Sequence, residues 1–347
     1  MGGDARQAIV TRPKPIQSAA GEKDKHAVAI LNPNTKRPRM AQELVEDHPV
    51  EVAFHEYLRR MVKLLPQHSA TIVPSRTSED NNTREQALAR LRGSNQNRPD
   101  AATPPLQKTA TLPLDAKTRS IAQARTMALL PHLNGKLKGD LVRFLHGASL
   151  IGKDAVIDLG GVDLSEADLS RSDLWGANLA RANLRKALFC GARLPAAMLH
   201  GADLRHADLS GADLWSADLS EADLTGVQAG QANLGSSNLS KAYMREAKLP
   251  EADLSRARMV EVNLILADLS GAKLPKANLP GAILWGDDLS QADLSGANLT
   301  GADLSGADLS GADLSQANLK WAKVTDQQLA QAASLQGATL PNGRKHD

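Results

Sequence analysis

Cysteine is nearly missing from this chain: Cys190 is the only one in 347 residues. An internal disulfide is therefore excluded, and so is a zinc cluster built on several thiolates. Aromatic residues are almost as scarce, at 3% against 42% apolar overall. That balance suits a narrow Leu/Ala interior better than a broad globular core. Long apolar runs are lacking too, so no stretch has the roughly 18 residues of a membrane-crossing helix. The start carries no signal-peptide pattern, and Met1-Gly2-Gly3-Asp4-Ala5-Arg6 lacks the Ser or Thr at position 6 of a myristoylation signal. A soluble, cytoplasmic protein is the expectation.

What is abundant is one pattern. From Leu159 to Leu319 every fifth residue is apolar, without insertion or deletion; the exceptions to Leu are Phe189, Ala229, Met244 and Met259. Two residues before each of these stands a usually small residue, most often Ala, as in Ala302-Asp303-Leu304-Ser305-Gly306. On an α-helix, residues five apart are about 140° apart, so the leucines would spiral around every side. On a strand an odd spacing alternates faces. A coil that turns a corner at every unit buries them all, and fixed-period self-similarity marks a solenoid.

The Ala-(Asp/Asn)-Leu-x-x run resembles the pentapeptide repeat family. That resemblance implies an all-β solenoid: a right-handed, quadrilateral β-helix with four units per coil. Leu and Ala would point inward and the other three positions outward. About eight coils over residues 157–323, stacked about 4.8 Å apart, would make a rod roughly 40 Å long. Residues 20 apart would then lie directly above one another.

The flanks have the makings of covers for the open coil ends. Residues 116–156 are expected to form a helical N-terminal cap. Within it a helix runs from about 116 to 130, and Lys138-Gly139-Asp140-Leu141-Val142-Arg143-Phe144-Leu145 shows apolar residues at helical spacing. After the repeats, residues 324–347 form a C-terminal cap and tail. Thr325 with Gln328 three positions later is a capping-box signature. The stretch from Ser334 to Gly343 resembles a tail found after bacterial repeats of this kind.

Residues 1–115 are less organised. The segments 1–41 and 93–117 are polar, Pro-containing and charged, and read as disordered. Val50, Ala53, Phe54, Tyr57, Leu58, Met61, Leu64 and Leu65 form an apolar stripe predicting a helix over about 50–65, and Thr83 with Gln86 opens a second over about 83–92. The plain expectation for these helices is packing against each other or the first coil. Lys36-Arg37-Pro38-Arg39 reads as a solvated basic linker.

The net charge of +2 conceals an asymmetry. Residues 1–156 hold 24 Lys/Arg against 15 Asp/Glu, and residues 157–323 hold 15 against 22. A basic segment thus precedes an acidic rod.

The pattern offers little for catalysis. The Asp residues preceding each central position and the Ser residues following it belong to the repeat. His200 and His206 are six apart and fall on different faces. Cys190 lies on an outward position and reads as an exposed thiol without a partner. No catalytic residue, metal ligand or cofactor is expected.

Departures from the repeat say more. Around Val227-Gln228-Ala229 the small residue has grown and the large one shrunk, keeping the inward volume roughly constant. Asp287 occupies an inward Ala slot, where a lone carboxylate would be costly, so a hydrogen-bonded Asp or a local distortion is expected. Outside, Trp175, Pro195 and Trp215 stand 20 apart; so do Arg185 and Arg205, with Arg245, Ile265 and Trp285 in the same column. Exposed Trp and Arg are typical interface anchors. These seven candidates, Trp175, Pro195, Trp215, Arg185, Arg205, Arg245 and Trp285, suggest a non-catalytic protein-interaction scaffold.

Two other classes compete. Some members of the family resemble DNA in shape and charge and modulate type II topoisomerases, but cations interrupt the acidic columns here. A secreted bacterial effector, with the polar N-terminus as its export signal, is the third. A protein partner is expected and direct nucleic-acid contact is not; a dimer through a terminal cap would be compatible with the ends.

Overall fold

The computed structural model describes residues 50–64, 115–152 and 155–347. The expected helix over 83–92 and the Lys36–Arg39 run lie outside the described residues. Helix α1 spans Val50–Leu64, α2 Ala116–Leu129, α3 Gly135–Gly147 and α4 Asp326–Leu329, with a 3₁₀ turn at Leu130–His132. Phe54, Tyr57 and Met61 of the stripe are buried, and Tyr57 Oη bonds Thr126 Oγ1 of α2 at 2.7 Å. Helix α1 therefore packs on α2. Pro131 lies in the 3₁₀ turn that ends α2.

From residue 163 onward the chain pairs with itself in parallel at a constant offset of 20, from Asp163 with Asn183 to Asp303 with Lys323. Four five-residue units therefore complete one circuit, and the coil has four sides. The inward leucines and alanines are buried throughout, including Phe189, Met244 and Met259. Val227 and Ala229 are both buried, consistent with the conserved volume expected there.

The unit around Leu214 satisfies all five of its backbone donors. Leu214 N–H donates to Asn233 O at 2.7 Å and Ser216 N–H to Gly235 O at 2.9 Å, both in the following coil. Asp218 N–H donates to Ala197 O at 2.9 Å in the preceding coil, and Ala217 N–H closes the corner on Leu214 O at 3.0 Å. The fifth donor, Trp215 N–H, has no place in this ladder; the Asp213 carboxylate accepts it at 3.2 Å. The repeated Asp or Asn is thus a backbone acceptor. Where Arg193, Lys248 or Lys273 replaces it, the residue needing the acceptor is Pro195, Pro250 or Pro275, which has no N–H.

The N-terminal opening is closed by side chains that imitate a further coil. Gln123 of α2 pairs with Asp158 in both directions, its amide donating to Asp158 O at 2.8 Å and accepting from Asp158 N at 2.8 Å. On α3, Lys138 Nζ donates to Ser165 O at 3.2 Å, Arg143 to Asp168 O at 2.8 Å, and Gly135 O accepts Asp168 N–H at 3.0 Å.

At the other end both halves of the expected capping box are present, Thr325 with Gln328. Gln328 Nε2 also donates to Leu304 O at 2.7 Å and Ala307 O at 2.9 Å, covering carbonyls of the last regular coil. Past α4 the pairing offset becomes 21, with Asp313 opposite Ser334 and Asn318 opposite Thr339. Thr339 then pairs antiparallel with Lys345, so the tail folds back across the exposed edge.

Candidate interaction faces

The offset of 20 places the candidate columns. Asp173, Arg193 and Asp213 are bridged in succession, so Trp175, Pro195 and Trp215 rise one above another on one side. Arg185, Arg205, Arg245 and Trp285 are bridged likewise through Asn183, Asp203, Tyr243 and Ile283. The two columns are ten residues apart along the chain, half a circuit. They therefore occupy opposite sides of the rod.

On the first side one indole leans on the next coil. Trp215 is 54% exposed, and its ring leans over Gly235 of the next coil, where a Cβ would lie 3.4 Å from Trp215 Cδ1. Arg193 donates to Asp173 Oδ2 at 3.0 Å, laying its guanidinium along the same side. Pro195, half-buried between the two indoles, has the backbone role described above.

On the opposite side Arg205 is less available than its type suggests. It binds the Asp203 carboxylate with two nitrogens and approaches Asp223 Oδ2 at 3.5 Å. That hydrogen bonding holds the Asp203 carboxyl below the usual carboxylate range. Arg185 and Arg245 are exposed. Farther along, Trp285 is joined by Tyr243, Leu266 and Ile283, all exposed. Sequence reading passed over these three, although the spacing of 20 applied to the residue before each Leu would have aligned Tyr243, Asn263 and Ile283. Leu188 and Met198, also exposed, were missed in the same way.

The His200–Ser220 pair does not form an activated nucleophile. His200 Nδ1 lies 3.0 Å from Ser220 Oγ, but the Ser220 hydroxyl donates to Asp218 at 2.6 Å, so the carboxylate holds the hydroxyl instead of orienting the imidazole. The Cys190 thiol corrects the expectation of an exposed, unpartnered group: it is half-buried and donates to Asp208 Oδ2 at 3.0 Å. Among the described residues no group of three or more His, Cys, Asp or Glu could hold a metal, and no helix is long and apolar enough to cross a membrane.

Asp287 is buried, its Oδ1 accepting Ala267 N–H at 3.0 Å while Oδ2 has no partner. Burial pushes the carboxyl up to about 8. It faces the rod interior and meets the expectation of a hydrogen-bonded Asp on one oxygen only.

The repeats match a family model, and the chain is similar to several solved structures. A model of pentapeptide repeats matches in eight copies over residues 157–195, 197–235, 230–264, 251–286 and 288–326. HetL, a pentapeptide repeat protein involved in heterocyst differentiation regulation in the cyanobacterium Nostoc sp. strain PCC 7120, is 39% identical, over 55% of this chain and 87% of HetL, with a TM-score of 0.38. Rfr23 from the cyanobacterium Cyanothece 51142 is 38% identical over 27% of this chain and 62% of its own, with a TM-score of 0.25. QnrB1, a plasmid-mediated fluoroquinolone resistance protein, is 22% identical over 48% of this chain and 87% of its own, with a TM-score of 0.37. No curated protein matches the chain. The family implies a right-handed quadrilateral β-helix, and this chain belongs to it: it is a pentapeptide repeat protein.

Proposed function

We propose that this protein is a non-catalytic scaffold of about eight coils that binds a protein partner through its outward Trp and Arg columns. The observation that carries this reading is the pair of indoles, Trp175 and Trp215, exposed in one column, each with its backbone N–H accepted by the Asp two residues before it. Large rigid side chains on a pre-organised surface lose little freedom on binding, which is how aromatic anchors contribute to interfaces. The recurrent Asp and Ser residues have structural roles and are no substitute for a site.

Modulation of a topoisomerase by DNA mimicry is less well supported. Arg193 pairs with Asp173, Arg205 with Asp203 and Lys323 with Asp303, so the acidic columns do not present a continuous line of unpaired charge. Unchanged gyrase supercoiling at micromolar rod would eliminate that alternative. The scaffold itself is tested by affinity capture with the full chain and with a variant carrying Trp175→Ala, Trp215→Ala and Arg205→Ala. Loss of a specific prey from the variant is expected; identical prey from both would sink the assigned columns.

A further inference from the structure

The side bearing Arg205, Arg245 and Trp285 has a property that the Trp175 side lacks: its two outward columns complement each other. The column preceding the central Leu reads Asp203, Asp223, Tyr243, Asn263, Ile283, Asp303. The column following it reads Arg205, Thr225, Arg245, Ile265, Trp285, Ser305. The first carries acids, the second cations, and both become apolar at the same height. Exposure follows this composition, with Tyr243 at 56%, Ile283 at 37%, Trp285 at 50% and the neighbouring corner residue Leu266 at 48%.

We propose that this face binds a second copy of the chain, the two rods lying side by side and parallel about a two-fold axis along their length. The proposal extends the reading that outward columns mediate contact, and it assigns this face to self-association, leaving the Trp175–Trp215 side for another partner. A two-fold along the rod lays the first column of one copy on the second column of the other at equal height. Asp203 then faces Arg205 of the other chain, Tyr243 faces Arg245 in cation–π geometry, and Ile283 faces Trp285. Each contact occurs twice. No acid in these columns meets an acid. Bare glycine corners at 281 and 301 come opposite those at 286 and 306, which lets the backbones approach closely.

Area bounds the class of complex. The face spans eight steps of 20 residues between positions 163 and 323. At about 4.8 Å per step and roughly 14 Å of width, two copies bury on the order of 1,000 Å² together, the lower bound for a specific interface and well short of an obligate dimer. An interface of that size belongs to a reversible association and not to an obligate one.

Sedimentation velocity on the full chain over about 2–200 µM tests this. The expected result is a shift from the mass of one chain to that of two. Ile283→Asp with Trp285→Asp keeps the chain monomeric across the range, while its circular dichroism remains that of the wild type. Arg245→Glu, a change at an exposed position, weakens the dimer at least tenfold and serves should the double variant fold poorly. Trp175→Ala with Trp215→Ala leaves dimerisation unchanged. A nitroxide at Arg185→Cys in a Cys190→Ser chain gives a pair distance under about 30 Å for parallel rods; an antiparallel pair centred on Ile265 separates the labels by about 40 Å or more. A monomer at every concentration, a dimer lost on the Trp175 side alone, or the long label distance would each overturn the proposal. Dimerisation without any prey capture would instead refute the scaffold and leave this interface standing.

Discussion

Gly139 lies so close to Asp168 that a Cβ on the glycine would come within 1.9 Å of the Asp168 carbonyl oxygen. Gly135, one turn earlier on α3, stands in the same relation to Glu166 O at 2.0 Å. The cap thus seats on the first coil along a strip of α3 that carries no side chains. Gly139→Ala must push the helix off its seat and disturb the bonds from Arg143 and Lys138. A loss of about 2–4 kcal/mol is expected, well beyond the helix-propensity gain of about 1 kcal/mol. Thermal unfolding measures the loss, and amide exchange should accelerate first at Asp168.

The corners make a different demand. Gly301 has φ +67 with no atom within 4 Å of an added Cβ. Gly301→Ala therefore tests backbone conformation without a clash, and should cost about 1 kcal/mol. The converse, Glu221→Gly at φ +59, should be neutral or mildly stabilising by denaturant titration.

The acceptor role of the repeat Asp predicts a coupling. Asp253 Oδ1 accepts Ser255 N–H at 2.9 Å. Asp253→Ala should cost about 0.5–1.5 kcal/mol. The same change in a Ser255→Pro background should cost much less, because the donor is gone, as at Lys273 and Pro275. A double-mutant cycle reads the coupling energy, which should be of similar size to the single loss.

Asp287 makes stability depend on pH. Its carboxyl titrates near 3.8 when unfolded and at about 8 in the rod, so the folded state binds the extra proton between those values. Stability from this group is complete below about pH 4, falls as pH rises, and reaches its floor above about pH 8. Asp287→Ala restores the Ala found in most inward slots. It should stabilise the rod by a few kcal/mol at pH 9 and by much less near pH 4. Melting temperatures of the two proteins across that range check the sign; a constant gap would show that the carboxyl is not the cause.

The beat of Leu and Ala made the four-sided coil legible in sequence because burial acts on every unit in the same way. Columns followed from it by counting in twenties, which is why Trp175, Trp215, Arg205 and Trp285 could be placed. Other features depended on contacts between distant segments. Nothing local in Gly135 or Gly139 announces the carbonyls above them, and Gln123 does not reveal that its amide will pair with Asp158. Arg205 looked like a free anchor because its carboxylate partners, Asp203 and Asp223, resembled ordinary repeat positions. Tyr243, Leu266 and Ile283 were overlooked for a simpler reason: the first and last replace an outward Asp or Asn and Leu266 fills a corner, so none disturbs the inward Leu/Ala frame.

The central claim is that activity resides in the departures from the repeat and not in the repeat itself. Quantitative affinity capture with three baits tests it most directly: the wild-type chain, Trp175→Ala with Trp215→Ala, and Asp253→Asn with Ser255→Ala. A specific prey should be lost at least tenfold with the Trp variant and retained with the repeat variant. Retention by the Trp variant together with loss from the repeat variant would contradict it.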